Sequence, residues 1–98
     1  MKKIKVIVKV ILFSGKKKRN IPIKNGYRPL FNILESTKSS GYFYSIESGL
    51  IYAGKIGVAE IHFIYSLELL NQIKSGNSFS FSEANEILGE VNIIKILE

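Results

Sequence analysis

Residues 4–13, IKVIVKVILF, decide the fold class of this chain, because apolar side chains alternate with a partly charged set. The even-numbered positions are all apolar: Ile4, Val6, Val8, Val10 and Leu12. Lysines occupy positions 3, 5 and 9 of the opposite set. A period of two with many β-branched residues is typical of a strand that buries one face. We therefore predict a β-strand here, with lysines that protect a sheet edge on its outer face.

The same N-terminus is also compatible with a secretory signal, since two lysines follow Met1 and precede an apolar run. Lys5 and Lys9 interrupt that run, and no small-residue cleavage site follows it. No stretch approaches the roughly 18 apolar residues that a membrane helix needs. We favour the strand, and we expect a cytoplasmic protein with no membrane partner.

Composition indicates one small folded domain over residues 1–98, with 46% hydrophobic and 22% charged residues. The chain has no cysteine, which excludes disulfides and thiolate chemistry and suits the cytosol. Its net charge of +6 is unevenly distributed. Residues 1–30 carry ten of the 14 basic residues and no acid, whereas all eight acids, every one a glutamate, lie in residues 31–98.

The rest of the chain reads as short strands separated by Gly, Asn and Ser. We predict an extended stretch over 30–34, a brief apolar stretch over 50–52, and strands over 41–47, 58–65, 79–83 and 91–97. Ser66 and Gly76 bound a segment with helical apolar spacing, which predicts one or two helical turns. Many short strands at this spacing indicate an all-β fold, either a small barrel or a sandwich.

Catalytic and metal-binding chemistry has little support in the residue pattern. His62 is the only histidine, and Glu60 lies on the same face of its strand. Two residues supply fewer ligands than a metal site needs, so we interpret them as a solvated surface pair. Gly15-Lys16 and Gly54-Lys55 lack the remaining residues of a phosphate-binding loop. We expect no enzyme, no catalytic residue, no metal, no cofactor and no bound nucleotide.

A run of four cations is the strongest polar feature: Lys16, Lys17, Lys18 and Arg19. Tyr27 and Arg28 follow within ten residues, and cations beside an aromatic ring are typical of RNA-binding surfaces. A solubilising loop is the alternative explanation of the run. Tyr27 and Arg28 also have a structural explanation, since Gly26 suits a turn and Pro29 restricts the backbone that follows.

The chain resembles the C-terminal barrel, domain 3, of translation elongation factor Tu over nearly its whole length. The matching stretches are Arg19-x-x-Pro22-x-x-x-Gly26-Tyr27-Arg28-Pro29-x-Phe31, Leu50–Gly54, Gly76-x-x-Phe79-x-Phe81-x-Glu83, Leu88-Gly89 and Lys95–Glu98. The resemblance implies a six-stranded antiparallel β-barrel, here as a divergent stand-alone copy without the factor's other domains. That barrel carries no catalytic group, and it contacts the T-stem of tRNA and other domains of the factor.

Two functions follow from the resemblance. The first is an RNA-contacting module for tRNA or ribosome-linked RNA, whose candidate residues are Lys16, Lys17, Lys18, Arg19, Arg28 and Glu83. The second is a protein-interaction module that mimics the factor's surface, with exposed apolar residues near Tyr42, Tyr44 and 50–52. The chain departs from the family pattern at Leu30 and at 84–86, where Ala-Asn-Glu replaces Gly-Gly-Arg.

Overall fold

The computed structural model describes residues 2–14, 22–34 and 37–97, and it places eight strands and one helix among them. In chain order these are β1 (Lys3–Leu12), β2 (Ile23–Lys24), β3 (Leu30–Phe31), β4 (Ser39–Ile46), β5 (Leu50–Ile51), β6 (Ile56–Ile64), α1 (Leu67–Gln72), β7 (Ser78–Glu83) and β8 (Glu86–Leu97). In these described ranges, no helix is both long enough and apolar enough to cross a membrane.

Six strands close into an antiparallel barrel in the order β1-β6-β4-β3-β7-β8, while β2 and β5 form a separate two-stranded ribbon. The six-stranded antiparallel barrel expected from the sequence is therefore confirmed. The edge role predicted for the β1 lysines is wrong, because β1 pairs with β6 on one side and with β8 on the other. Closure leaves these lysines on the outer surface of a strand that is hydrogen-bonded on both sides.

The barrel interior is filled by the apolar set of each strand, as the period-two pattern of β1 predicts. The even-numbered side chains of β1 are buried, from Ile4 at 4% exposed to Leu12 at 0%. Four phenylalanines, each at most 1% exposed, occupy the centre: Phe31, Phe43, Phe63 and Phe81. The Phe31 ring lies 4.9 to 6.2 Å from the other three, centroid to centroid. We call these four side chains the inner cluster.

The predicted helical turn is present between β6 and β7. The Ser66 hydroxyl accepts a hydrogen bond from the Leu69 backbone N–H at 3.0 Å and so caps the N-terminus of α1. Leu69 and Ile73 are buried with the barrel core. The short α1 is thus held by its cap and by burial of one apolar side, since six residues are too few for a helix to be stable alone.

Two strands differ most from the sequence prediction, β3 and β8. β3 has two residues rather than five, although it still pairs with both β4 and β7. β8 begins at Glu86, five residues before the predicted start, because it forms a hairpin with β7. Its turn is Ala84-Asn85, and Ala84 has a positive φ of 52°. The residue types at this turn do not predict a hairpin, because alanine is uncommon in tight turns and glutamate is uncommon in strands.

Candidate nucleic-acid interface

Four of the six residues predicted to bind RNA, Lys16, Lys17, Lys18 and Arg19, lie outside the described residues. Arg28 and Glu83 are described, and both are exposed. Arg28 lies beside Tyr42 of β4, and Glu83 is the last residue of β7.

Glu83 is joined to the corner that contains Tyr27. Its Oε1 accepts a hydrogen bond from the Tyr27 hydroxyl at 2.7 Å. The Tyr27 ring packs on two members of the inner cluster, 5.6 Å from Phe43 and 6.4 Å from Phe81. Gly26, at φ +92°, donates its backbone N–H to the Phe43 carbonyl at 2.7 Å. Tyr27 therefore links the core to Glu83, which supports the structural explanation of this residue.

Arg28 faces a different aromatic side chain, Tyr42 on β4. The Arg28 Cζ lies 4.6 Å from the centroid of the Tyr42 ring. Lys3 Nζ lies 5.1 Å from the same centroid and donates a hydrogen bond to the Tyr42 hydroxyl at 2.8 Å. Two cations thus share one ring, where the quadrupole of the ring favours positive charge. Arg28, Lys3, Tyr42 and His62 line a cleft of about 220 Å³.

His62 and Glu60 are not the solvated surface pair that the sequence suggested. The His62 side chain is only 5% exposed and that of Glu60 24%, and His62 Nε2 lies 2.5 Å from Glu60 Oε2. The alternation did place both on the outer face of β6. The pairing of β4 with β6 then covers the imidazole, because Tyr42 lies directly opposite His62 and the Tyr44 ring stacks on it.

The hydrogen bonds around His62 form a series. An ammonium only donates and a carboxylate only accepts, so Lys3 donates to Tyr42, and His62 Nε2 donates to Glu60. The Tyr42 hydroxyl is hydrogen-bonded to His62 Nδ1, 3.2 Å away. Both ring nitrogens therefore have protein partners. In the described part of the chain, no three His or Glu side chains lie close enough to hold a metal.

The outer surface of β1 and β8 carries a group of lysines that we call the lysine face. Its members are Lys3, Lys5, Lys9 and Lys95. The first three alternate outward along β1, and Lys95 lies opposite Ile7, between Lys5 and Lys9. All four are exposed, and no carboxylate of the described ranges pairs with their ammonium groups. Two acids lie near this face: Glu60, opposite Ile7, is occupied by His62, and Glu90 lies opposite Ile11 beyond Lys9.

Sequence reasoning missed part of this surface. The outward lysines of β1 were visible in the alternation, but Lys95 was not assigned to the same face, because its strand partner lies about 90 residues away. Nor did the pattern indicate that Tyr42 and Tyr44 contact His62, since strand pairing was unknown. No protein-family model matches the chain, and no curated protein does.

Proposed function

We propose that this chain is a non-catalytic binding module, similar to domain 3 of elongation factor Tu, that contacts RNA through the lysine face and Arg28. The observation that carries the proposal is the lysine face itself: four exposed ammonium groups on one side of a closed sheet without carboxylate partners in the described ranges. Lysines that form no ion pair within the protein remain available to phosphates, and each phosphate they neutralise releases counterions.

The arrangement of this face suits an extended polyanion. Outward residues of a strand repeat at roughly 7 Å, so Lys3 to Lys9 span roughly 20 Å of the barrel surface. Residues 16–19 follow β1 in the chain and carry four more cations. These four cations are further phosphate contacts in the proposed function. A cytoplasmic location is also part of it, since a chain without cysteine suits the reducing cytosol. A carboxylate repels phosphate, so Glu83 is not a phosphate contact in this proposal. Its contribution is to orient Tyr27, whose hydroxyl donates a hydrogen bond to it.

The resemblance to elongation factor Tu is supported by the closed six-stranded antiparallel barrel and by the Gly26–Pro29 corner that packs on it. Under this proposal tRNA is the first RNA to test, with other structured RNA as the alternative. The barrel supplies positioned charge, so the expected activity is binding alone.

A titration of tRNA at two salt concentrations tests the proposal. Neutralisation of four phosphates by the lysine face alone predicts that affinity falls about 50- to 150-fold between about 50 and about 200 mM salt. Each further phosphate contact, from Arg28 or residues 16–19, steepens this fall by about threefold. Reversing Lys5 and Lys9 to glutamate should weaken binding and flatten the salt dependence. The matched control reverses Lys55 and Lys74, which are also exposed but lie outside the lysine face. A separate variant reverses residues 16–19. Absent or salt-independent binding, or an equal effect of the control, contradicts the proposal.

Protein interaction is a second candidate, favoured by exposed apolar side chains around β5 and β6. Ile56 is 64% exposed, Tyr52 56% and Leu50 37%, whereas Ile51 between them is buried. Exposed apolar residues that adjoin one another in a patch are typical of contact surfaces. A pull-down at high salt should then recover a protein partner that the variant Tyr52→Ser with Ile56→Lys no longer binds. Equal recovery by both proteins contradicts this candidate.

A further inference from the structure

Tyr44 is an exposed ring that is held in a fixed orientation. It stacks on the His62 imidazole with the centroids 4.3 Å apart and the planes 13° apart. Even so, the residue is 55% exposed. In the described ranges, no other aromatic ring or cation contacts it. One side of the Tyr44 ring is therefore covered by the protein, and the other faces solvent.

A β-bulge explains why Tyr44 has this position. The register between β4 and β6 shifts between Phe43 and Ser45, so Tyr44 has no partner across the sheet. Phe43 and Ile46 are buried, while Tyr44 and Ser45 between them both face outward. A bulge inserts one extra residue and redirects the side chains beside it, which is a feature often found next to binding sites.

The imidazole beneath Tyr44 is itself fixed at both edges. His62 Nε2 bonds to Glu60, and Nδ1 bonds to the Tyr42 hydroxyl. The residue is 4% exposed and cannot rotate without breaking both hydrogen bonds. The orientation of the Tyr44 ring is thus set before any ligand arrives, and a ligand that stacks on it loses little affinity to ordering the protein.

The charges around Tyr44 favour a nucleic acid over a protein as the ligand. Lys5 lies opposite His62 across β1 and β6, and Lys3 and Arg28 both lie on the neighbouring Tyr42 ring. Two acids lie near Tyr44: Glu60 is occupied by His62, and Glu47 lines a cleft with Ser45 and Glu60. An open aromatic face next to unpaired cations is the combination that binds single-stranded RNA, since a base stacks while its phosphates contact the cations.

We infer that Tyr44 is a stacking platform for an unpaired RNA base, with Lys3, Lys5 and Arg28 holding the adjoining phosphates. This inference rests on the proposed RNA-binding function and adds a substrate class to it. Bases within a duplex are already stacked on both faces, so the platform discriminates in favour of loops, bulges and single strands. The lysine face, by contrast, binds the phosphates of single-stranded and of duplex RNA.

The test compares two RNA probes: a single strand of about ten nucleotides with a fluorescent adenine analogue, and the duplex of the same sequence. The variants are Tyr44→Leu, which still covers His62 but has no aromatic face, and Tyr44→Phe, which keeps that face. Tyr44→Leu should bind the single strand roughly 5- to 150-fold more weakly and should no longer quench the analogue. Tyr44→Phe should stay within about twofold of the parent.

Tyr52→Leu is the matched control, since Tyr52 is 56% exposed and, within the described ranges, makes no ring contact with His62. Duplex binding should be equal for all four proteins, and urea unfolding identifies any variant that has lost its fold. If Tyr44→Leu retains single-strand affinity while Lys5→Glu loses it, the stacking inference is overturned and the RNA-binding function stands. If the parent binds neither probe, both are overturned, and Tyr44 becomes a candidate contact for a protein.

Discussion

β4 contributes to two aromatic clusters that differ in what holds them. Phe43 points inward to the inner cluster, where burial and edge-to-face packing orient the rings without any hydrogen bond. Tyr42 and Tyr44 point outward to the outer cluster, which we define as these two residues with His62 and Glu60. There hydrogen bonds orient Tyr42, His62 and Glu60, stacking on the imidazole orients Tyr44, and only the imidazole is buried.

The comparison shows how a chain of 98 residues can combine a stable fold with a binding surface. The inner cluster supplies apolar burial, the main favourable term in folding. The outer cluster contributes less to stability, because its side chains are partly exposed and exchange hydrogen bonds with water. Substitutions in the two clusters should therefore affect stability and binding to different degrees.

The largest expected effect is on the inner cluster. Phe31→Ala removes the ring that contacts the three other phenylalanines, and should lower the free energy of unfolding by about 3–5 kcal/mol. Phe31→Leu keeps most of the volume and should cost clearly less. Urea unfolding followed by circular dichroism measures both. A loss below about 1 kcal/mol for Phe31→Ala would mean that the inner cluster does not dominate stability.

A smaller effect is expected in the outer cluster. Tyr42→Phe keeps the ring but removes the hydroxyl that joins Lys3 to His62 Nδ1, so the imidazole loses one partner. The expected cost is about 1 kcal/mol, and the NMR signals of the His62 ring should shift. Tyr52→Phe is the control, because the Tyr52 hydroxyl makes no hydrogen bond within the described ranges. Equal costs for the two variants would show that the series around His62 adds no stability.

The smallest effect is expected outside both clusters, in the β7–β8 turn. Ala84 has a φ of 52°, a backbone region that costs alanine energy but is accessible to glycine. Ala84→Gly should therefore stabilise the protein by up to about 1 kcal/mol, because relief of strain outweighs the added freedom of the unfolded chain. Asn85→Gly serves as the comparison, since Asn85 has no positive φ. If Ala84→Gly instead lowers the free energy of unfolding, the claim that Ala84 is strained in this turn is contradicted.

Much of the barrel could be predicted from local pattern. The alternation identified β1 and β6 with their buried faces, the strand β4 was predicted, and Ser66 marked the start of α1. The two-residue β3 was not predictable, because its place depends on neighbours from distant parts of the chain. Of the candidate site, Arg28 and the β1 lysines were visible as charge. The covered imidazole was not, because local pattern cannot reveal a stack between two strands.

By itself, the sequence determined which side chains of β1 share a face and that positive charge concentrates in the first 30 residues, because alternation and composition are local properties. Only the tertiary structure decided what lies beside each face. Pairing of β1 with β8 added Lys95 to the lysine face, and the bulge between β4 and β6 laid Tyr44 on His62. Both contacts depend on strand register across long separations, which no short stretch of sequence encodes.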